Sequence, residues 1–233
     1  MMAADANGLK LLEQAGPLKV PTVLRQSEAD GQAYLLLEFI DEGTADAAFW
    51  QQFGEGLAAI HRSSADAFGL GQDNFIGSLP QANGRHDNWP DFYREERLRP
   101  QAERALANNM LWPGAGQQLD RLYQRLPELC PAEPPALTHG DLWSGNFLKS
   151  ADYGPVLVDP AVSYAHREMD LAMSMLFGGF APPFYEAYQK AYPIASGFRD
   201  RAGLYQLYYL LAHVNLFGQS YTGSVRQIVE RWA

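Results

Sequence analysis

The segment Thr138–Asn146, with the sequence THGDLWSGN, constrains the fold of this 233-residue chain more than any other part of it. It lies between two short runs of strand-forming residues, Ala136–Thr138 and Val156–Val158, and Asp159 directly follows the second run. Within the segment an aspartate stands two residues after a histidine, and an asparagine stands five residues after that aspartate. Oxygen-bearing side chains at the ends of neighbouring strands are typical of a site that holds a cation or moves a proton. The rest of the chain is therefore expected to hold this loop in place.

The spacing of His139, Asp141 and Asn146 is that of the H-x-D-x-x-x-x-N loop of kinases. Phosphoryl transfer needs a carboxylate that accepts the proton of the attacking hydroxyl, and Asp141 suits this task. It also needs oxygen ligands for Mg²⁺. Asn146 and Asp159 suit that task, because Mg²⁺ takes few protein ligands and keeps water and phosphate oxygens. His139 is expected to be a structural residue that hydrogen-bonds the loop backbone.

Two other interpretations of these residues stay open at this point. An H-x-D pair by itself is also typical of a turn in which Asp141 caps a following helix. A zinc site built from His139, Asp141 and His166 would use residue types found in metal-dependent hydrolases, but no further ligand at helical spacing supports it. The addition of Asn146 and Asp159, in a strand-loop-strand setting, favours the phosphotransferase.

The composition excludes several classes of protein. Lys and Arg number 18 against 27 Asp and Glu, so the net charge of −9 disfavours nucleic acid as a partner. The single cysteine, Cys130, cannot form an internal disulfide, and the N-terminus has no signal-peptide pattern, so a cytoplasmic location is expected. The longest stretch without Asp, Glu, Lys or Arg, Ala202–Val225, contains polar residues and helically spaced leucines. It predicts a buried helix, and no membrane partner is expected.

The first 40 residues predict a helix followed by a hairpin. The helix covers about Ala3–Gln14, and the strands are Val20–Leu24 and a mostly buried Tyr34–Ile40, with a turn at Gly31. From residue 44 onward, periodic apolar residues predict mainly helices. One of these helices carries Phe49, Phe53, Leu57 and Ile60 on one face and two glycines that suggest close helix contact, Gly54 and Gly56.

The middle of the chain, Phe68–Pro90, is too long and too rich in glycine and proline for a simple connector. It is the natural candidate for the acceptor site. Asp73 and Asn74 offer carboxylate and amide groups to sugar hydroxyls or an amine, and Trp89 offers an aromatic face. The alternative is that Asn74 begins a turn that pins the loop to the core.

Several motifs of this chain resemble the fructosamine kinase (ketosamine-3-kinase) family, a branch of the aminoglycoside-phosphotransferase-like kinases. They include LTHGDLWSGNFL at Leu137–Leu148 and VDPAVSYAHREMDLAMSMLFGGF at Val158–Phe180. Trp143, after HGDL, separates this family from most sister families. The resemblance covers nearly the whole chain, with further matches at Phe68–Gly84, Trp89–Gln101 and Tyr205–Tyr221.

The resemblance implies an α+β fold of the bilobal protein-kinase-like type. Residues 1–43 would form a truncated N-lobe, a helix plus a hairpin with the hinge, and residues 44–233 a mainly helical C-lobe. It also implies use of ATP and Mg²⁺ to phosphorylate the 3-hydroxyl of a sugar joined to an amine through a ketoamine, as in fructosyl-lysine. The phosphorylated ketosamine is unstable and breaks down, so the implied role is deglycation repair, with a free or protein-bound ketosamine as partner.

The resemblance assigns the base to Asp141 and the magnesium ligands to Asn146 and Asp159. It assigns the hinge that reads adenine through its backbone to Glu38, Phe39 and Ile40.

Glu168 and Asp170 match the family's H-R-E-x-D run at 166–170. We expect both to be buried structural carboxylates that support the loop. The acidic surface would suit lysine-derived or other cationic acceptors.

The chain departs from the family pattern at its start. No phosphate-covering glycine loop precedes the first helix, Asp5 stands where the family has a glutamate, and Lys10 and Lys19 come too late to be the phosphate lysine. Either the sequence starts late or the lobe is reduced. We expect weak nucleotide affinity, low stability of residues 1–43, or a homodimer through the exposed hairpin edge. Two other functions stay open: a pseudokinase-like ketosamine-binding module, and an aminoglycoside or choline kinase of the same superfold.

Overall fold

The computed structural model describes all residues from 1 to 233. Helices and short two-stranded sheets alternate along the chain. In the N-terminal half they are α1 (Met2–Ala15), β1 (Val23–Ala29), β2 (Gln32–Leu37), α2 (Ala47–Ile60), β3 (Asn74–Ile76), β4 (Leu79–Gln81), α3 (Trp89–Phe92), a π-helical segment (Tyr93–Leu98) and α4 (Arg99–Ala107). In the C-terminal half they are α5 (Ala115–Leu129), β5 (Ala136–Thr138), β6 (Phe147–Ser150), β7 (Gly154–Leu157), β8 (Ser163–Ala165), α6 (Glu168–Leu176), α7 (Pro182–Ala191), α8 (Phe198–Phe217), a 3₁₀ turn (Gln219–Tyr221) and α9 (Thr222–Trp232).

The N-terminal hairpin forms as predicted, but it is not buried as predicted. Strands β1 and β2 pair antiparallel, and the turn residues Asp30 and Gly31 both have positive φ, which gives the turn the right-handed twist of the strands. Tyr34 and Leu36 are 49 % and 57 % exposed, so the prediction of a mostly buried second strand is wrong. The reason is that the two strands pair only with each other, and most of their side chains lie against no further layer. The homodimer through this edge stays a prediction.

The helices of the chain pack closely, and one close contact was predicted from the sequence. Helix α2 lies against α7, and a side chain at Gly54 would collide with the backbone of Phe184, which confirms the inferred close approach. Helix α8 is buried along nearly its whole length, so the predicted buried helix is confirmed from Ala202 to Phe217. The rest of the predicted stretch, residues 218–225, is instead a 3₁₀ turn and the start of α9, and it is mostly not buried. A single cluster of 50 buried hydrophobic residues runs from Leu9 in α1 to Val229 in α9. No helix in residues 1–233 combines the length and apolarity that crossing a bilayer requires.

Four short strands position the loop at residues 139–146. Strand β5 pairs with β8 and β6 pairs with β7, so this loop runs from one sheet to the other. The segment 158–162 connects the same two sheets in the opposite order. The two segments lie side by side: the Val158 N–H donates to the Asn146 carbonyl at 3.1 Å, and the Ala161 N–H donates to the His139 carbonyl at 2.9 Å. Strand β6, which the sequence analysis did not predict, thereby brings Asn146 next to the segment that carries Asp159.

Candidate active site

The loop at 139–146 is held in place by hydrogen bonds to the carboxylate of Asp170. Its two oxygens accept the backbone N–H of His139 at 2.7 Å and of Gly140 at 2.9 Å, and the His61 ring lies 3.1 Å from one of them. Gly140 has φ +84°, and a side chain there would collide with the carbonyl of Ala161, so only glycine fits. Asp170 thus orients the backbone immediately before Asp141.

The His139 ring ties the two loop segments together. Its Nε2 lies 2.9 Å from the carbonyl oxygen of Val158, and its Nδ1 lies 3.3 Å from the backbone nitrogen of Asp141. The first partner can only accept and the second can only donate, so Nε2 carries the proton and Nδ1 accepts. Burial lowers the pKa of His139, which keeps the ring neutral. These contacts are those of a structural residue.

Asn146 connects Asp141 to Asp159. Its Nδ2 donates to the carbonyl oxygen of Asp141 at 2.9 Å and to the Asp141 carboxylate at 3.0 Å, and it lies 3.4 Å from the carbonyl oxygen of Asp159. All three partners are acceptors, which settles the orientation of the amide. Oδ1 accepts no hydrogen bond from residues 1–233 and is the atom left for a cation.

The site holds more negative charge than the surrounding residues neutralise. Burial, followed by the nearby Asp159 and Asp170, raises the pKa of Asp141 to about 7 against the hydrogen bond from Asn146. Burial and the charge of Asp159 also raise the pKa of Asp5 on α1. Among the nine salt bridges of the chain, none involves Asp5, Asp141 or Asp159.

Asp159 itself has φ +52°, a conformation uncommon outside glycine that is concentrated at functional sites. The carboxylates of Asp141 and Asp159 and the amide oxygen of Asn146 have no basic partner, and together they form a donor set that fits Mg²⁺.

The family model of fructosamine kinase matches the chain over residues 1–233. This protein belongs to the fructosamine kinase family. The chain is 42 % identical to a probable ketoamine kinase of Enterococcus faecium over 98 % of its own length and 82 % of that protein. It superposes on a crystal structure assigned as a fructosamine-3-kinase of Thermobifida fusca with a TM-score of 0.89 and 38 % identity, covering 99 % of this chain and 79 % of the other.

The kinase-like fold is also evident in a more distant structure. A thermostable mutant of the aminoglycoside phosphotransferase APH(4)-Ia superposes with a TM-score of 0.65 at 19 % identity, covering 99 % of this chain and 84 % of the other, a likeness of fold alone. The fold and family predicted from the motifs are therefore confirmed. The protein is a kinase, a phosphotransferase with an alcohol group as acceptor.

The segment predicted as the kinase hinge follows strand β2. Glu38 uses its side chain for support: one carboxylate oxygen lies 2.7 Å from Lys19 Nζ and also accepts from the backbone and the hydroxyl of Thr22. The hydrogen bond from Lys19 lowers the pKa of Glu38 to about 2. Phe39 is 85 % exposed, and no protein group hydrogen-bonds the backbone of Phe39 or Ile40. These free backbone groups are compatible with the predicted hinge.

Two of the three residues predicted to bind the acceptor are buried in the core of this kinase. The Asn74 amide donates to the Val162 carbonyl at 2.8 Å, and its oxygen accepts from Gln81 at 2.7 Å. Trp89 is buried and stacks on Tyr93 with centroids 5.0 Å apart. Neither side chain can reach an acceptor, so this prediction is wrong for both, and the alternative of a turn pinned to the core describes Asn74.

Asp73, the third residue predicted to contact the acceptor, is exposed and serves the same middle loop. Its carboxylate accepts the backbone N–H of Asn83 at 2.9 Å. For Asn74 the physical reason for the error is that polar side chains in a glycine-rich loop pair with backbone groups that would otherwise be left unsatisfied. Contact of Asp73 with the acceptor stays a prediction.

A cavity of about 340 Å³ lies beside Asp141, and the sequence did not reveal it. Asp141 and Trp143 line it, together with Tyr209 and His213 of helix α8. Ile76 and Gly77, at the turn after β3, also line it. The segment Tyr205–Tyr221, which the sequence analysis matched to the family without assigning it a function, supplies several of the lining residues.

Behind the site, buried carboxylates are paired with arginines. Glu168 bonds the guanidinium of Arg201 through both oxygens, with Nε at 2.7 Å, and Glu133 pairs in the same way with Arg167. His166 lies between the two carboxylates with its Nε2 3.2 Å from the Pro131 carbonyl. Because both carboxylates are neutralised, this cluster is structural, and His166 is committed to it and not to the zinc site considered above.

Proposed function

We propose that this protein uses ATP and Mg²⁺ to phosphorylate the 3-hydroxyl of a ketosamine of the fructosamine or fructosyl-lysine type. The observation that carries the proposal is the position of Asp141, which lines the cavity and accepts a hydrogen bond from Asn146. Burial, the largest cause, also raises its pKa. A general base works best when its pKa is close to the operating pH. The names of the relatives, a ketoamine kinase and a fructosamine-3-kinase, supply the substrate class.

The proposed reaction is an in-line displacement at the γ-phosphorus of ATP. The sugar oxygen forms a bond to phosphorus, the bond from phosphorus to the β–γ bridging oxygen breaks, and ADP leaves with that electron pair. The Asp141 carboxylate accepts the hydroxyl proton. Asn146 Oδ1 and the Asp159 carboxylate would hold Mg²⁺, which when bound neutralises the charge that develops on the phosphate oxygens. Backbone groups of Phe39 and Ile40 would accept and donate hydrogen bonds at the adenine edge.

The product would be a 3-phosphorylated ketosamine, which is unstable and releases its amine. We infer from this chemistry a role in deglycation, with ketosamines on small amines or proteins as substrates. The ketosamine is thus the partner that the site supports.

The test is ADP release with a peptide-bound fructosyl-lysine as the acceptor, in which the α-amino and α-carboxyl groups are uncharged amides. Asp141→Ala is expected to lower kcat by about 10²- to 10⁴-fold, the usual contribution of a general base. Asp152→Ala is the matched control, because Asp152 is exposed in the turn after β6, and it should keep the wild-type rate. An unchanged rate in Asp141→Ala would reject the assigned base.

One observation favours a second candidate, a pseudokinase-like module that binds ketosamines without phosphorylating them. Asp5 stands at the position of the helix glutamate but has no basic partner, and Lys19, the nearby lysine in sequence, is held by Glu38. Calorimetry separates the candidates: fructosyl-lysine binding with no ADP release supports the module, whereas tight ATP binding with turnover supports the kinase.

A further inference from the structure

The cavity beside Asp141 is nearly free of charge. Of its twelve lining residues nine are hydrophobic, and Asp141 is the only aspartate, glutamate, lysine or arginine among them. Yet the chain as a whole carries a net charge of −9. The acidic surface expected to attract cationic acceptors therefore does not extend into the place where the acceptor is bound.

One wall of the cavity is a connected group of aromatic rings. The His213 ring centroid lies 4.9 Å from that of Phe177, 5.3 Å from that of Phe217 and 5.0 Å from that of Tyr221. Phe177 and Phe217 remain 41 % and 65 % exposed, so their faces are available to a ligand. A flat apolar group placed here would cover aromatic surface that now contacts water.

The one titratable ring in this wall is held in its neutral form. His213 Nδ1 lies 2.8 Å from the carbonyl oxygen of Tyr209, so this nitrogen donates and carries the proton. Burial lowers the pKa of His213. His213 therefore adds no positive charge that could pair with a carboxylate on the ligand.

The position of Asp141 decides which part of a ketosamine enters this cavity. With Asp141 taking the proton of the 3-hydroxyl, we place the amine on carbon 1 and its substituent against the aromatic wall, away from the reacting oxygen. A substituent that ends in an ammonium would lose hydration there, with Asp141 already engaged by the sugar. A substituent that ends in a carboxylate would be repelled by Asp141 as well.

We propose that this cavity selects ketosamines whose amine carries an uncharged, flat apolar substituent over those with a lysine-like chain that ends in an ammonium. The proposal rests on the proposed function and adds the class of amine to it. Phe217, at the exposed end of α8, is the residue that sets this preference.

The experiment compares three ketosamines that share the fructosyl group and the secondary amine and differ only in the substituent. Their parent amines are benzylamine, 1,5-diaminopentane and β-alanine, and kcat/KM is measured for each from ADP release. We expect the benzylamine derivative to exceed the diamine derivative by about 10-fold or more, the discrimination that burial of an apolar group provides. Phe217→Ala should reduce this ratio to about 3 or less, and Phe217→Glu should reverse it by supplying a partner for the ammonium.

Tyr34→Ala is the matched control, because Tyr34 is a half-exposed aromatic on the hairpin and does not line the cavity. It should leave the ratio at the wild-type value. Equal rates for the three substrates, a preference for the diamine, or a ratio that Phe217→Ala does not change would overturn the proposal. Absence of ADP release with all three ketosamines would instead reject the proposed function, so the two failures are distinguishable.

Discussion

The carboxylate of Asp170 accepts a 2.9 Å hydrogen bond from the backbone N–H of Gly140, thirty residues earlier in the chain. The same carboxylate also binds the His139 N–H and the His61 ring. Helix α6, which carries Asp170, thereby fixes the path of the loop. This contact cannot be read from the H-x-D motif itself. A charged group with three partners in the core contributes both to stability and to the geometry around Asp141.

Asp170→Ala is expected to lower the free energy of unfolding by about 3–5 kcal/mol, because two backbone N–H groups and a histidine lose their common partner. Denaturant unfolding followed by circular dichroism measures this loss, and kcat should fall with it as the loop shifts. The exposed Asp66 makes no hydrogen bond, so Asp66→Ala serves as the control with no loss. An unchanged unfolding free energy in Asp170→Ala would contradict the supporting role.

Gly140→Ala should destabilise the protein and impair the site, because alanine disfavours φ +84° and its methyl group would collide with the Ala161 carbonyl. We expect a loss of about 2 kcal/mol or more, larger than the gain that alanine brings at a permissive position. Gly71→Ala is the matched control, since nothing lies within 4 Å of a methyl group there. Thermal melting of both variants measures the difference. Equal melting temperatures would contradict the claim that residue 140 has to be glycine.

The stability of the protein should depend on pH through His166. Burial lowers the pKa of His166 to about 4 from its ordinary value near 6.5. Between these two values the unfolded chain binds a proton that the folded chain does not, so the free energy of unfolding falls as the pH drops from 6.5 towards 4.

The part of this fall due to His166 is roughly 3 kcal/mol at most. It is measured as the difference between wild type and His166→Gln in urea unfolding at a series of pH values. A difference that stays constant across this range would show that His166 has the same pKa in the folded and the unfolded chain.

Two buried tyrosines offer a matched pair of deletions. Tyr209 has a buried hydroxyl with no hydrogen-bond partner, whereas the buried hydroxyl of Tyr93 donates to the Leu204 carbonyl at 2.6 Å. Removal of an unpaired buried donor costs nothing, so Tyr209→Phe should leave the free energy of unfolding unchanged or raise it by up to about 1 kcal/mol. Tyr93→Phe should lower it by about 1–3 kcal/mol, because the carbonyl loses its donor. Similar losses in both variants would mean that the Tyr209 hydroxyl has a partner.

The local elements of the chain were predictable because each depends on neighbours in sequence. The hairpin turn at Asp30–Gly31 and the helix that presents Gly54 follow from residue types and apolar spacing alone. Burial was not predictable in the same way. Tyr34–Ile40 is as apolar as a core strand, but whether it is covered depends on which other strands and helices lie against it.

The sequence alone determined the family and the residues proposed for the chemistry of the loop, because Asp141, Asn146 and Asp159 lie within 19 residues and the first two have the spacing of a kinase loop. The cavity proposed for the acceptor was revealed only by the tertiary structure. Its wall comes from α8, more than 60 residues after Asp141, and a period of apolar residues does not tell a ring that faces a cavity from one that faces the core. Asn74 and Trp89 illustrate the difference, because close packing around them, and not their residue type, made them structural.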